Sequence, residues 1–184
     1  MKRYAKVLGP VAGFMAVGFL SLVPTIRAAQ PSGDSKEVSS IFVDAKAEAV
    51  QLKQDAEEMN SFVHSRLSWQ THAAQLDQIK QHINNTGEIV AKLNNARNAA
   101  SPWQQQATDR ITPLLKELAA SVETTITFLG HNQERLATAP YTEYVQANTD
   151  FAVDLSQVIS DYVAYSEAKH KSEELARKLE VPTS

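Results

Sequence analysis

Cysteine is missing from all 184 residues. That absence excludes disulfides, thiolate metal sites, covalent haem attachment and a lipid-modified N-terminal cysteine. Glycine is scarce too. Of the six present, Gly9, Gly13 and Gly18 lie before residue 30, so no glycine-rich phosphate loop can be assembled from the rest. No serine stands in a nucleophile elbow, and no basic run extends beyond short mixed stretches. A chain that must fold without disulfides has only packing to hold it together, and its hydrophobic spacing becomes the main signal.

The first residues have a different character from the remainder. Lys2, Arg3 and Lys6 precede a charge-free apolar run, Val7–Val23, which is followed by Pro24, Arg27, Ala28 and Ala29. A basic start, an apolar core and a small-residue exit are the three parts of an export signal. Residues 1–29 are therefore expected to be a signal peptide, cut after Ala28 or Ala29. The alternative is an uncleaved anchor, because the run approaches the shortest length that spans a membrane. Removing residues 1–29 takes away four basic residues and no acidic one. The remaining 14 basic and 21 acidic side chains give a net charge of −7. Such a chain is a poor partner for nucleic acid. Residues 30–34 read as a short linker, and 35–181 as one domain.

Within that domain apolar residues recur at steps of three and four. Val38, Phe42, Ala45, Ala49, Leu52, Ala56, Met59 and Val63 predict a helix over 35–66, capped by Asp34 or Ser35. The same rhythm carried onward would bury Arg66, Gln70, Asp77 and Lys80, which no core tolerates unpaired. A new stripe starts at Trp69, with Ala73 or His72, and continues through Leu76, Ile79, Ile83, Val90 and Leu93. It predicts a second helix over 69–99, with one long kinked helix over 35–100 as the rival. Ser101-Pro102-Trp103-Gln104 is a helix start of the capping-box type. It opens a third helix over 102–137, with Ala107, Ile111, Leu114, Leu118, Val122, Ile126 and Leu129 inward and Pro113 bending it. A fourth helix over 140–181 is expected to bury Phe151, Leu155, Val158, Tyr162 and Tyr165. The fold class is all-α: an elongated antiparallel up-down-up-down four-helix bundle, since short links force neighbours to reverse.

Four patterns could carry chemistry. Glu167 and His170 spell Glu-x-x-His, half of a di-iron motif, but no second copy exists and both fall between the expected core positions. They read as a solvated face. His64 and His72 flank the first turn and His131 lies near the end of the third helix, so all three belong to the end that holds Trp69. Three imidazoles there could bind zinc or copper; as ordinary rim residues they would bond to backbone or water. Met59 and His131 could serve haem only if both faced inward at one height. The carboxylates are all placed on exposed helix faces, so none is nominated as an acid or base. No catalytic, cofactor or metal residue is assigned, and the chain is read as no enzyme.

The expected function is a non-enzymatic interaction or structural module of a bacterial-type cell envelope, periplasmic or extracellular, possibly anchored in the inner membrane. Its partner would be another protein or a second copy, with membrane contact only through an uncleaved N-terminal segment. The segment from Lys169 to Val181 keeps Ala176 and Leu179 in phase beyond the core and is expected to dock that partner. The alternative is a small-ligand- or metal-binding bundle that uses Trp69, His64, His72 and His131.

Overall fold

The structure is a computed structural model that describes residues 33–180. The expected signal segment and the last few residues lie outside the described residues. Four α-helices follow in order: α1 Lys36–Phe62, α2 Trp69–Asn95, α3 Pro102–His131 and α4 Ala139–Leu179. A short 3-10 turn, Arg97–Ala99, leads from α2 toward α3. No strand occurs among the described residues. Each helix packs on its neighbours in sequence, and α1 also packs on α4, so the four close around one core.

The caps explain where the helices begin. Ser35 Oγ accepts the N–H of Val38 at 3.3 Å, and Ser68 Oγ accepts that of Thr71 at 3.3 Å. Each satisfies one of the N-terminal donors a helix leaves free, worth about 1 kcal/mol. The chain is thus two helices over 35–100, not one kinked rod. α1 stops at Phe62, short of the expected 66, because Ser65 Oγ and the His64 and Ser65 amides turn back on the carbonyls of Ser61 and Phe62. α3 stops at His131 and not at 137: Asn132 Nδ2 donates to the Phe128 carbonyl at 2.9 Å and closes the last turn. Pro113 sits on the exposed side of an uninterrupted α3.

The apolar core residues of α1 are those the spacing names, from Val38 through Met59, and Val63 is buried at its C-cap. On α2, His72 and not Ala73 is the buried member of the pair. On α3, Leu115 replaces Leu114, and Thr125 fills the layer beside Ile126. The largest correction concerns α4. Its buried line is Tyr141, Val145, Asn148, Ala152, Leu155, Ile159, Val163 and Ser166, rotated from the line read in the sequence. Of the five residues expected inside, only Leu155 is buried. Phe151, Val158 and Tyr162 are half-buried on the flank, and Tyr165 is 52% exposed. The cause is the polar members of the true line, which an apolar pattern skips: Asn148 donates to Thr125 Oγ1 at 2.8 Å and accepts from Ser121 Oγ at 2.6 Å. Hydrogen-bonded at both ends of its amide, Asn148 costs little to bury. Each fully buried Leu or Ile side chain then contributes about 1.5–3 kcal/mol.

Candidate functional site

Three places gather polar or exposed groups, and none matches the sites read from the sequence without change. The first is the end where α1 and α3 begin. Gln104 is wholly buried there and its amide is saturated. Oε1 accepts the N–H groups of Ser35 at 3.1 Å and Ser101 at 2.9 Å, while Nε2 donates to Ser35 O and Ser39 Oγ, each at 3.0 Å. The bond to Ser101 is the reach-back half of the capping box expected from the sequence. Beside it, Asp34 Oδ1 accepts from Trp103 Nε1 at 2.6 Å and from Lys169 Nζ at 2.8 Å. Burial alone would push the Asp34 pKa up; the hydrogen bonds from Lys169 and Trp103, with the Lys169 charge, outweigh it and hold the pKa below the usual value. Lys169 is raised in return, chiefly by its bond to Asp34. Asp34 therefore corrects the expectation that every carboxylate is exposed.

The second place is the α1–α2 face, where reading by spacing missed a residue. His82 Nδ1 contacts Glu48 Oε1 at 2.5 Å, and Nε2 lies 3.2 Å from Asp55 Oδ2. The second contact is close enough for an ion pair but off the line of an N–H bond, so Oδ2 keeps no hydrogen bond. Asn85 Nδ2 also donates to Glu48, and Gln78 Nε2 donates to Asp55 Oδ1 at 2.9 Å. Asp55 is buried, a second exception to the exposed-carboxylate expectation. The only signal for this cluster was that Glu48 and Asp55 stand two turns apart on α1, level with a histidine on the next helix.

The third place is the other end of the bundle, where the α1–α2 and α3–α4 links meet. His72 is buried, and its Nδ1 lies 3.0 Å from Tyr141 Oη. It is not the rim residue expected. Desolvation lowers the His72 pKa and raises that of Tyr141. His72 Nε2 has no partner among the described residues. Above it lies a cavity of about 390 Å³ bordered by Phe62, Arg66, Trp69, His72 and Leu136. His64 and His131 are exposed, and neither borders this cavity. Among the described residues no three of His, Asp and Glu converge as a metal site, so the three imidazoles at this end are not brought together. Met59 is buried in the core, whereas His131 points to the surface, and the pair does not face one haem position.

Glu167 and His170 are exposed on α4, and His170 Nδ1 lies 3.9 Å from Glu173. They belong to a stretch with a separate geometry. Lys169 meets Asp34, the residue just before the cap of α1, yet α4 continues through residues 170–179. At 1.5 Å per residue that is an overhang of about 15 Å. Ala176 is its one half-buried position; Leu175 is 47% and Leu179 69% exposed. No described helix is long and apolar enough to cross a membrane. Comparison of the chain with protein-family models, curated proteins and solved structures finds no match in any of the three.

Proposed function

We propose that this chain is an exported, non-enzymatic interaction module of the bacterial-type cell envelope, built as an up-down-up-down bundle that offers the end of α4 to a protein partner. The carrying observation is the overhang, with Leu175 and Leu179 exposed on a stretch of helix that runs past its last contact with α1 among the described residues. Single exposed leucines are ordinary; two on one side of a projecting helix form the anchor pattern of helix recognition. An up-down course is supported by the numbering of contacts. Glu48 meets His82 while Asp55 meets Gln75, and Asp34 meets Lys169 while Asn60 meets Gln146. One number falls as the other rises, as antiparallel neighbours require. Export rests on the basic start and the apolar run of residues 1–29.

Removing residues 172–184 tests the docking role. Loss of a co-purifying protein or of self-association, with unchanged helicity and melting, is the expected result. An identical oligomeric state and identical captured proteins would refute it. The mass of the chain recovered from the envelope checks export directly, since cleavage leaves a product that begins near residue 29 or 30.

One observation favours a second reading, a small apolar ligand held at the Trp69 end. The cavity of about 390 Å³ falls within the range of ligand pockets and sits over a buried His72 nitrogen without a partner. A ligand entering it would shift the emission of Trp69, and a Trp69→Phe variant would separate that signal from Trp103. No spectral change with an apolar probe such as anilinonaphthalene sulfonate removes this reading.

A further inference from the structure

His72 on α2 and Tyr141 on α4 are both buried, and His72 Nδ1 lies 3.0 Å from Tyr141 Oη. That hydroxyl has no other hydrogen-bond partner among the described residues. Neither has the second ring nitrogen, His72 Nε2. Burial lowers the His72 pKa, so at neutral pH the ring carries one proton. Two placements of that proton are open, and the hydrogen bonds decide between them. With the proton on Nδ1, the ring donates to Oη, and both the Tyr141 O–H and the Nε2 lone pair go unpaired. With the proton on Nε2, the Tyr141 O–H donates to Nδ1 and Nε2–H alone goes unpaired. Each buried polar group without a partner costs free energy, so the second placement is the one adopted. His72 therefore holds a neutral N–H donor that the fold does not use.

The same residue borders the cavity of about 390 Å³ between the α1–α2 and α3–α4 links. Phe62 and Leu136 border it half-buried, and Leu67 and Trp69 border it while 40% and 37% exposed. Arg66 and Glu134, both exposed, add one charge of each sign, so the border favours neither an anion nor a cation. We propose that this cavity takes a neutral molecule with an apolar body and one acceptor oxygen, an aryl ketone or ether, whose oxygen accepts the Nε2–H of His72. The inference rests on the small-apolar-ligand reading of the Trp69 end and names the ligand's chemistry. The body lies against Phe62, Trp69 and Leu136, and the single polar contact fixes its orientation. A hydrocarbon would leave Nε2–H stranded. A carboxylate would bring in a charge that neither the neutral ring nor the balanced border offsets.

Nitrogen-15 NMR of the full chain, titrated with acetophenone and with isopropylbenzene, provides the test. The two probes are nearly equal in shape, and only the first carries an acceptor. In the free protein the His72 ring should show its proton on Nε2. Acetophenone should move the Trp69 indole signal and deshield the Nε2 proton, the mark of a new hydrogen bond. Isopropylbenzene should move the indole signal without that deshielding. His72→Phe combined with Tyr141→Phe removes the donor and strands no hydroxyl. It should weaken acetophenone about tenfold, the worth of one hydrogen bond, and leave isopropylbenzene unchanged. Circular dichroism melting shows whether the double variant folds; if it does not, the wild-type spectra decide alone. A ring proton on Nδ1, or acetophenone binding that leaves the Nε2 proton unshifted, overturns the proposal. If isopropylbenzene moves the Trp69 indole while acetophenone gains nothing from His72, the acceptor falls and the apolar-ligand reading stands. If neither probe moves that indole, both fall.

Discussion

At the scale of single residues, the chain uses buried polar side chains as fasteners at both ends of the bundle. Gln104 is the more heavily bonded. Its replacement by leucine keeps the volume but strands the Ser35 and Ser101 amides, at about 1–3 kcal/mol for each donor left unpaired. Urea unfolding of Gln104→Leu should show a loss of about 3 kcal/mol; a loss under 1 kcal/mol would mean that water replaces the amide at no cost. His72 is held differently, by burial and a single bond to Tyr141. Its folded pKa lies below the ordinary 6.5, so on acidification the unfolded chain takes up a proton that the folded chain refuses. Stability should therefore be constant above about pH 6.5 and fall below it, by at most about 1.4 kcal/mol per pH unit from this group. Melting of the wild type and of His72→Gln between pH 5 and 8 checks the sign. The variant should lose stability overall but show the shallower slope.

At the scale of the helix, α4 shows what periodicity can and cannot reveal. Three buried lines, those of α1, α2 and α3, were legible within one residue. Their apolar members keep the phase even where His72, Gln75 and Thr86 on α2 or Gln104, Thr108 and Thr125 on α3 share the inward side, and no large apolar row runs beside them to compete. α4 buries Asn148, Thr149, Ser156 and Ser166 instead, and carries Phe151, Val158 and Tyr162 on its flank. A reading that seeks grease follows the flank. His82 and Asp55 escaped for the same reason, as polar groups whose burial depends on a partner from another helix. The cap residues were legible because Ser35, Ser68 and Ser101 act within their own turn. The phase of α4 has a direct consequence. Ile159→Ala should destabilise by about 2–5 kcal/mol, whereas Val158→Ala, one residue away and half-buried, should cost clearly less. A larger loss for Val158→Ala than for Ile159→Ala would place the core where the sequence pattern alone put it.

At the scale of the whole molecule, the ring closes where the first and last helices meet, and Asp34 with Lys169 joins residues 135 positions apart. Position gives this pair more weight than an ordinary surface ion pair. The Asp34 side chain is 2% exposed and also holds Trp103, which stacks on Phe42 of α1 and Tyr162 of α4. Lys169→Met keeps the stem but leaves a buried carboxylate with one charge partner fewer, a loss of about 2 kcal/mol at neutral pH. The sign with pH follows from the direction of the shift. Asp34 has a lowered pKa when folded, so the stability it contributes is present above the unfolded value of 3.8 and disappears as pH falls through that value toward the folded one. The wild type and Lys169→Met should thus differ most near neutrality and converge below about pH 4. A constant gap from pH 7 down to pH 3 would assign the loss to packing of the lysine stem and not to its charge. The overhang begins at this same pair, so a loosened Lys169 should also let the start of the projecting segment fray, visible as faster amide exchange over residues 166–172 with α2 unaffected.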